Sequence, residues 1–176
     1  HLLLNPVVDA AVFEVGHESV LARGLGFEHC DVAVVTAIDE RENLRANGCQ
    51  SIEELLLAKR TLLEAVQANG VAVVPAADRE ALTLATACPG KVMLFAAEAR
   101  HPEVESHTTA GGSAAIVRDA HIVLVSPGQD EQCLPLPHLL AAHREDSPSL
   151  AVTLAAVAAA WALDVPLESI AERLLS

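Results

Sequence analysis

Three places along the chain put groups capable of chemistry where an α/β protein could use them. Glu14 closes an apolar run, Val7 to Val15, and Gly16 follows it. A carboxylate at the carboxyl end of a buried strand sits where open α/β sheets bind their ligands, and it can hold Mg²⁺ directly or through water. The same position also suits a charge facing solvent. Asp39-Glu40-Arg41-Glu42 follows a second apolar run, Val32 to Ile38. Its carboxylates could help to bind a metal or could form a hydrated loop. Lys59 lies near Leu55, Leu56, Leu62 and Leu63 in helical spacing. An ammonium on or near a buried face either snorkels to water or acts on something.

Other signals are weaker. The eight histidines show no HxH or HExxH spacing, and no GxSxG elbow appears. The four cysteines form no CxxC pair, which fits reduced thiols better than zinc or a disulfide framework. Gly24-Leu25-Gly26 is too short for a dinucleotide fingerprint, and no GxxxxGKS/T loop is present to cradle a triphosphate.

The elements that must position these groups follow from hydrophobic spacing. Val7–Val15, Val32–Ile38, Val71–Val74 and Val92–Phe95 read as strands buried on both faces, as in a parallel sheet. Between them, Ser51 with Glu54 three residues on predicts a capped helix from Ser51 to about Ala68, ended by Asn69-Gly70. Asp78–Ala87 reads as a second helix. Alternating strands and helices over about the first 96 residues predict βαβ crossovers. After His107 the spacing changes. Ser113–Val117, Ile122–Val125 and Gln132–Leu136 read as three short antiparallel strands, with Arg118 to His121 as a hairpin connection. This small antiparallel subregion spans residues 107–137. Two helices close the chain, Ser149–Leu163 and Pro166–Leu174, with Pro166 in a first turn. The loop Ala141–Pro148 is the most polar break and is expected to be mobile. The fold class is α/β: a mostly parallel sheet flanked by helices, plus a small three-stranded antiparallel sheet, in a single domain over 1–176.

Composition excludes several partners. The 24 acidic and 11 basic residues leave a net charge of −13, which repels a phosphate backbone, and few aromatic rings are available to stack on bases. Neither nucleic acid nor an anionic membrane is expected as partner. The apolar run Leu150–Leu163 is too short to span a bilayer, and no signal peptide is visible, so a cytoplasmic setting is expected. The chain begins at His1 without a Met and reads as a piece of a longer protein.

Val8-Asp-Ala-Ala-Val-Phe-Glu-Val15, Arg23-Gly-Leu-Gly-Phe27 and Cys30-Asp31 through Ile38 together resemble the second half of a Mur ligase central domain, in its cyanophycin synthetase branch. Ala58-Lys59-Arg60, Gly70–Val74, Pro89-Gly90-Lys91-Val92, His107-Thr-Thr-Ala-Gly-Gly112 and Ala158–Leu163 keep step with that pattern. The resemblance implies a parent that uses ATP and Mg²⁺ to make an acyl phosphate, which an amine then displaces to form an amide. In this branch the amide joins arginine to aspartate side-chain carboxyls. It also implies partners: the rest of the parent chain, with its P-loop and ATP-grasp portions, and a second copy in a homo-oligomer.

Carried over by position, Glu14 and Glu42 would serve the metal, Lys59 would be catalytic, and Asp78 would help to hold the nucleotide. The departures matter as much. Glu42 stands where the family has a metal-binding His. Gly16-His17-Glu18-Ser19 replaces an Ala-Arg-Gly-Gly stretch, Pro75 to Arg79 replaces an Asn-Ala-Asp-Asp-Pro stretch, and Val152 replaces an Asn. A Val has neither the donors nor the acceptor of an Asn. The expectation is a degenerate, structural domain that does not bind ATP tightly alone. The alternative is a fragment of an active amide ligase.

Overall fold

The computed structural model describes residues 6–38, 49–136 and 149–175. Glu42, with the rest of the acidic stretch after Ile38, and the loop Ala141–Pro148 lie outside the described residues.

Six strands form one sheet in sequential order: β1 (Cys30–Val34), β2 (Val66–Pro75), β3 (Lys91–Ala96), β4 (Ser113–Arg118), β5 (His121–Val125) and β6 (Gln132–Pro135). β1 to β4 are mutually parallel, and β4-β5-β6 are antiparallel. The antiparallel strands expected from the sequence are therefore present and share β4 with the parallel set. Six helices accompany them among the described residues: α1 (His17–Arg23), α2 (Ile52–Glu64), α3 (Arg79–Ala85), α4 (Pro102–Thr109), α5 (Leu150–Ala162) and α6 (Leu167–Leu175).

The alternation of strand side chains divides the core into two layers. Ala33, Val35, Ala72, Val74 and Leu94 pack on one face with Leu55 and Leu63 of α2 and Ala81 of α3. Val73, Met93, Phe95, Ile122 and Leu124 pack on the other with Leu154, Val157 and Ala158 of α5. Leu55, Leu63 and Leu154 are fully buried, each contributing about 1.5–3 kcal/mol of transfer free energy. The small residues of α5 let it lie close on the sheet, as its Ala-rich sequence predicts.

Local signals explain most boundaries. Ser51 Oγ accepts from Glu54 N at 3.3 Å while the Glu54 carboxylate accepts from Gln50 N at 2.7 Å, a variant of the expected capping box. Ser149 caps α5 in the same way through Val152 N. The hairpin between β4 and β5 turns on Asp119 and Ala120, both at positive φ (50° and 59°), as a two-residue turn of primed type requires.

Three expectations change. Residues 7–15 form no strand, with Val7 in a turn and Asp9 in a bend, and Val7 and Val12 are 80% and 93% exposed. An apolar run becomes a strand only when a neighbour accepts its backbone bonds, and a cleft separates this run from β1. The helix expected to reach Ala68 ends at Glu64, because Val66 is buried as a strand residue opposite Cys30. Gly70 therefore lies within β2, where a Cβ would come 2.5 Å from the Asp31 carbonyl oxygen. α1 and α4 were not anticipated: both are short, and their apolar spacing is faint.

Candidate functional site

β1 is an edge of the sheet. Beyond its free side lies a cleft of about 960 Å³, which residues 8–15 also line. Ala58, Lys59 and Leu62 of α2 line one face, and Ala159 with Leu163, at the end of α5, line the other. Phe13 anchors the far wall by stacking on Phe27 of the loop after α1, with ring centroids 6.2 Å apart.

The cleft brings together two of the four candidate residues. Glu14 is exposed and lines it from the far wall. Lys59 reaches across from α2, and its Nζ donates to the Ala37 carbonyl at 3.0 Å, just past the carboxyl end of β1. The α2 cap and the buried Leu55 and Leu63 fix the helix that carries this lysine, which makes further contacts besides. Asp78 sits apart from the lining. It caps α3, with Oδ1 accepting from Ala81 N at 2.9 Å and Oδ2 from Ile38 N at 2.5 Å. Its carboxylate thus ties the chain leaving β1 to the start of α3. Glu42 lies outside the described residues.

Sequence reasoning missed other polar groups of the cleft. Asp9, His17, His29 and Asp31 also line it. Asp31 accepts from Gln67 Nε2 at 3.2 Å, which holds it at the amino end of β1. Only its adjacency to a β-rich run could have flagged it. Neighbouring Cys30 has its thiol pKa raised, first by burial and then by the charges of Asp31 and Cys88.

His107 had a sequence signal without a role. Its Nε2 meets the Val92 carbonyl at 3.0 Å, pinning α4 to β3, and its ring fills the space where a Cβ on Gly112 would stand. The His107-to-Gly112 segment is a packing device at this place.

A magnesium–nucleotide site needs several oxygen donors converging on one point, with amide or cationic donors around the phosphates. Here the Asp78 oxygens already serve two backbone amides, and Glu14 approaches from a wall of its own. Among the described residues no three His, Cys, Asp or Glu side chains come together as a metal set. Among the described residues, Glu14 and Asp78 thus stand apart from each other. The cleft instead offers apolar walls, an open strand edge and scattered charges.

No protein-family model matches the chain. Curated relatives do. The chain is 31% identical over 121 residues to a cyanophycin synthetase of Geminocystis herdmanii, covering 69% of this chain and 14% of that protein. It is 30% identical over 124 residues to a cyanophycin synthetase of Crocosphaera subtropica, covering 70% of this chain and 14% of the relative. Among solved structures, MurF from Acinetobacter baumannii matches 82% of this chain and 28% of its own, at 21% identity and a TM-score of 0.48. The chain is a Mur ligase-like domain. Its similarity runs specifically to cyanophycin synthetases, of which it spans about 14% of the length. Among the described residues no helix is long and apolar enough to cross a membrane.

Proposed function

We propose that this Mur ligase-like domain plays a structural part in a cyanophycin synthetase-like protein and does not itself hold ATP and Mg²⁺. One observation carries the reading: the Asp78 carboxylate is engaged at both oxygens by backbone amides of β1's exit and α3. A group placed by resemblance at a nucleotide is here a structural brace. The substitutions at Glu42 and Val152 point the same way. On this reading the partners are the rest of the parent chain, including its P-loop and ATP-grasp portions, and a second copy in a homo-oligomer; the setting is the cytoplasm.

The test is thermal melting of the chain with Mg-ATP. A ligand present at a thousand times its dissociation constant stabilises by about 4 kcal/mol. The expected result at millimolar Mg-ATP is an unchanged Tm, and a rise of several degrees would sink the proposal.

A second reading has its own support. Glu14 and Lys59 line one cleft beside the carboxyl end of β1, where open α/β sheets carry their sites. The chain would then be a fragment of an active ATP-dependent ligase joining arginine to aspartate side-chain carboxyls, with Lys59 and Glu14 as its retained contributions. Loss of ATP-dependent amide formation in the parent on Lys59→Ala, with folding intact, would favour this second reading.

A further inference from the structure

Ala37 and Ile38 share one peptide group, and charged side chains hold it at both ends. Its carbonyl accepts from Lys59 Nζ of α2 at 3.0 Å. Its N–H donates to Asp78 Oδ2, at the start of α3, at 2.5 Å. A trans peptide points its C=O and N–H in opposite directions. The ammonium and the carboxylate therefore stand on opposite sides of the same group.

The end of the β1–β2 ladder explains why this peptide needs such partners. Val35 N–H donates to Val73 O at 3.0 Å. The next donor in β2 for this stretch would be Pro75, which has no N–H, and β2 ends there. The chain leaving β1 must find its bonds elsewhere. Ile38 is buried, and a buried amide left without a partner is costly. Asp78 supplies that partner, while its other oxygen accepts from Ala81 N at 2.9 Å.

Both bonds to the peptide are charge-assisted. The ammonium draws electron density towards the carbonyl oxygen and makes the N–H a stronger donor. The carboxylate at the N–H makes the carbonyl a stronger acceptor in turn. We propose that Lys59 and Asp78 form an ion pair relayed through the Ala37–Ile38 peptide, so that whatever takes one of them weakens the hold of the other on the exit of β1. An anion that captured the Lys59 ammonium would loosen the Asp78–Ile38 bond without touching it. Lys59 makes further contacts, which the three donors of an ammonium allow. The inference rests on the structural reading of Asp78 and extends it to Lys59, the residue that the resemblance makes catalytic.

Amide hydrogen exchange in the intact polypeptide, without nucleotide, tests the relay. Lys59→Met keeps an apolar stem and removes the ammonium. It should speed exchange at Ile38 by about tenfold, the scale of a weakened charge-assisted bond. Ala81, bonded to the other Asp78 oxygen, is the internal control, and its rate should stay within about twofold. In an Asp78→Ala background, Lys59→Met should add nothing at Ile38, because the relay is already cut. An Ile38 rate indifferent to Lys59→Met would overturn the proposal. So would equal acceleration at Ile38 and Ala81, or an equal effect of Lys59→Met with and without the Asp78 carboxylate. With no nucleotide in the measurement, its failure would leave the structural reading to be decided by melting with Mg-ATP.

Discussion

The two edges of the sheet are finished to different degrees. At one, β4, β5 and β6 are joined by short local turns, and β6 is four residues long and stops at Pro135, which cannot donate to a further strand. Ile122 and Leu124 behind that edge are fully buried. At the other, β1 keeps Val32 and Val34 half-buried and faces a cleft lined by exposed apolar groups. A natural edge is usually short, charged or covered. The first edge is closed by Pro135, whereas the second faces the cleft along Val32 and Val34.

The largest test of this contrast compares truncations at the two edges. Ile122→Ala is expected to cost about 2–5 kcal/mol in urea unfolding, as for other fully buried aliphatic deletions. Val34→Ala, at a half-exposed position, should cost less than about 1.5 kcal/mol in the chain alone. Equal costs would erase the distinction. Next comes Asp78→Ala. It removes the α3 cap and the tie to Ile38 N, so urea unfolding should register a loss of about 1–3 kcal/mol. An unchanged midpoint would mean that Asp78 does not brace the open side.

These edges differed in how far the sequence disclosed them. The antiparallel strands carried their own instructions, since each partner lies a few residues away and the Arg118–His121 turn fixes their register. Glycine-free though it is, that turn was legible. The run Val7–Val15 has the composition of a strand, but composition cannot say whether a neighbour is present, and the run forms no strand among the described residues. Glu14 was singled out from its position and Lys59 by resemblance, and both line one cleft. Asp78 was placed by resemblance, and its two amide partners, Ile38 at 40 residues' distance among them, could be seen only in three dimensions. His107 matched a motif whose physical meaning, a ring filling the space beside Gly112, needed the fold.

A smaller effect sharpens the view of the finished edge. Asp119 and Ala120 hold positive φ without being glycine. Ala120→Gly should therefore stabilise the chain by about 0.5–1 kcal/mol in thermal or urea melts, because glycine adopts this conformation without a steric cost. A loss of stability would imply that the Ala120 methyl packs usefully.

The smallest effect belongs to the open edge and concerns pH. Burial, with help from Asp31 and Cys88, holds the Cys30 thiol above its ordinary pKa. The folded chain therefore keeps its proton in a range where the unfolded chain has lost it. Protons favour the folded state there, so this contribution is intact below the unfolded thiol pKa and fades as pH rises through the folded value. Cys30→Ser should flatten the alkaline limb of a stability-against-pH curve without changing the curve near neutrality. Alkylation gives a second readout: at pH 8 Cys30 should react more slowly than exposed Cys133, with its rate climbing at higher pH. Equal rates for Cys30 and Cys133 at pH 8 would show that burial does not hold the Cys30 thiol protonated.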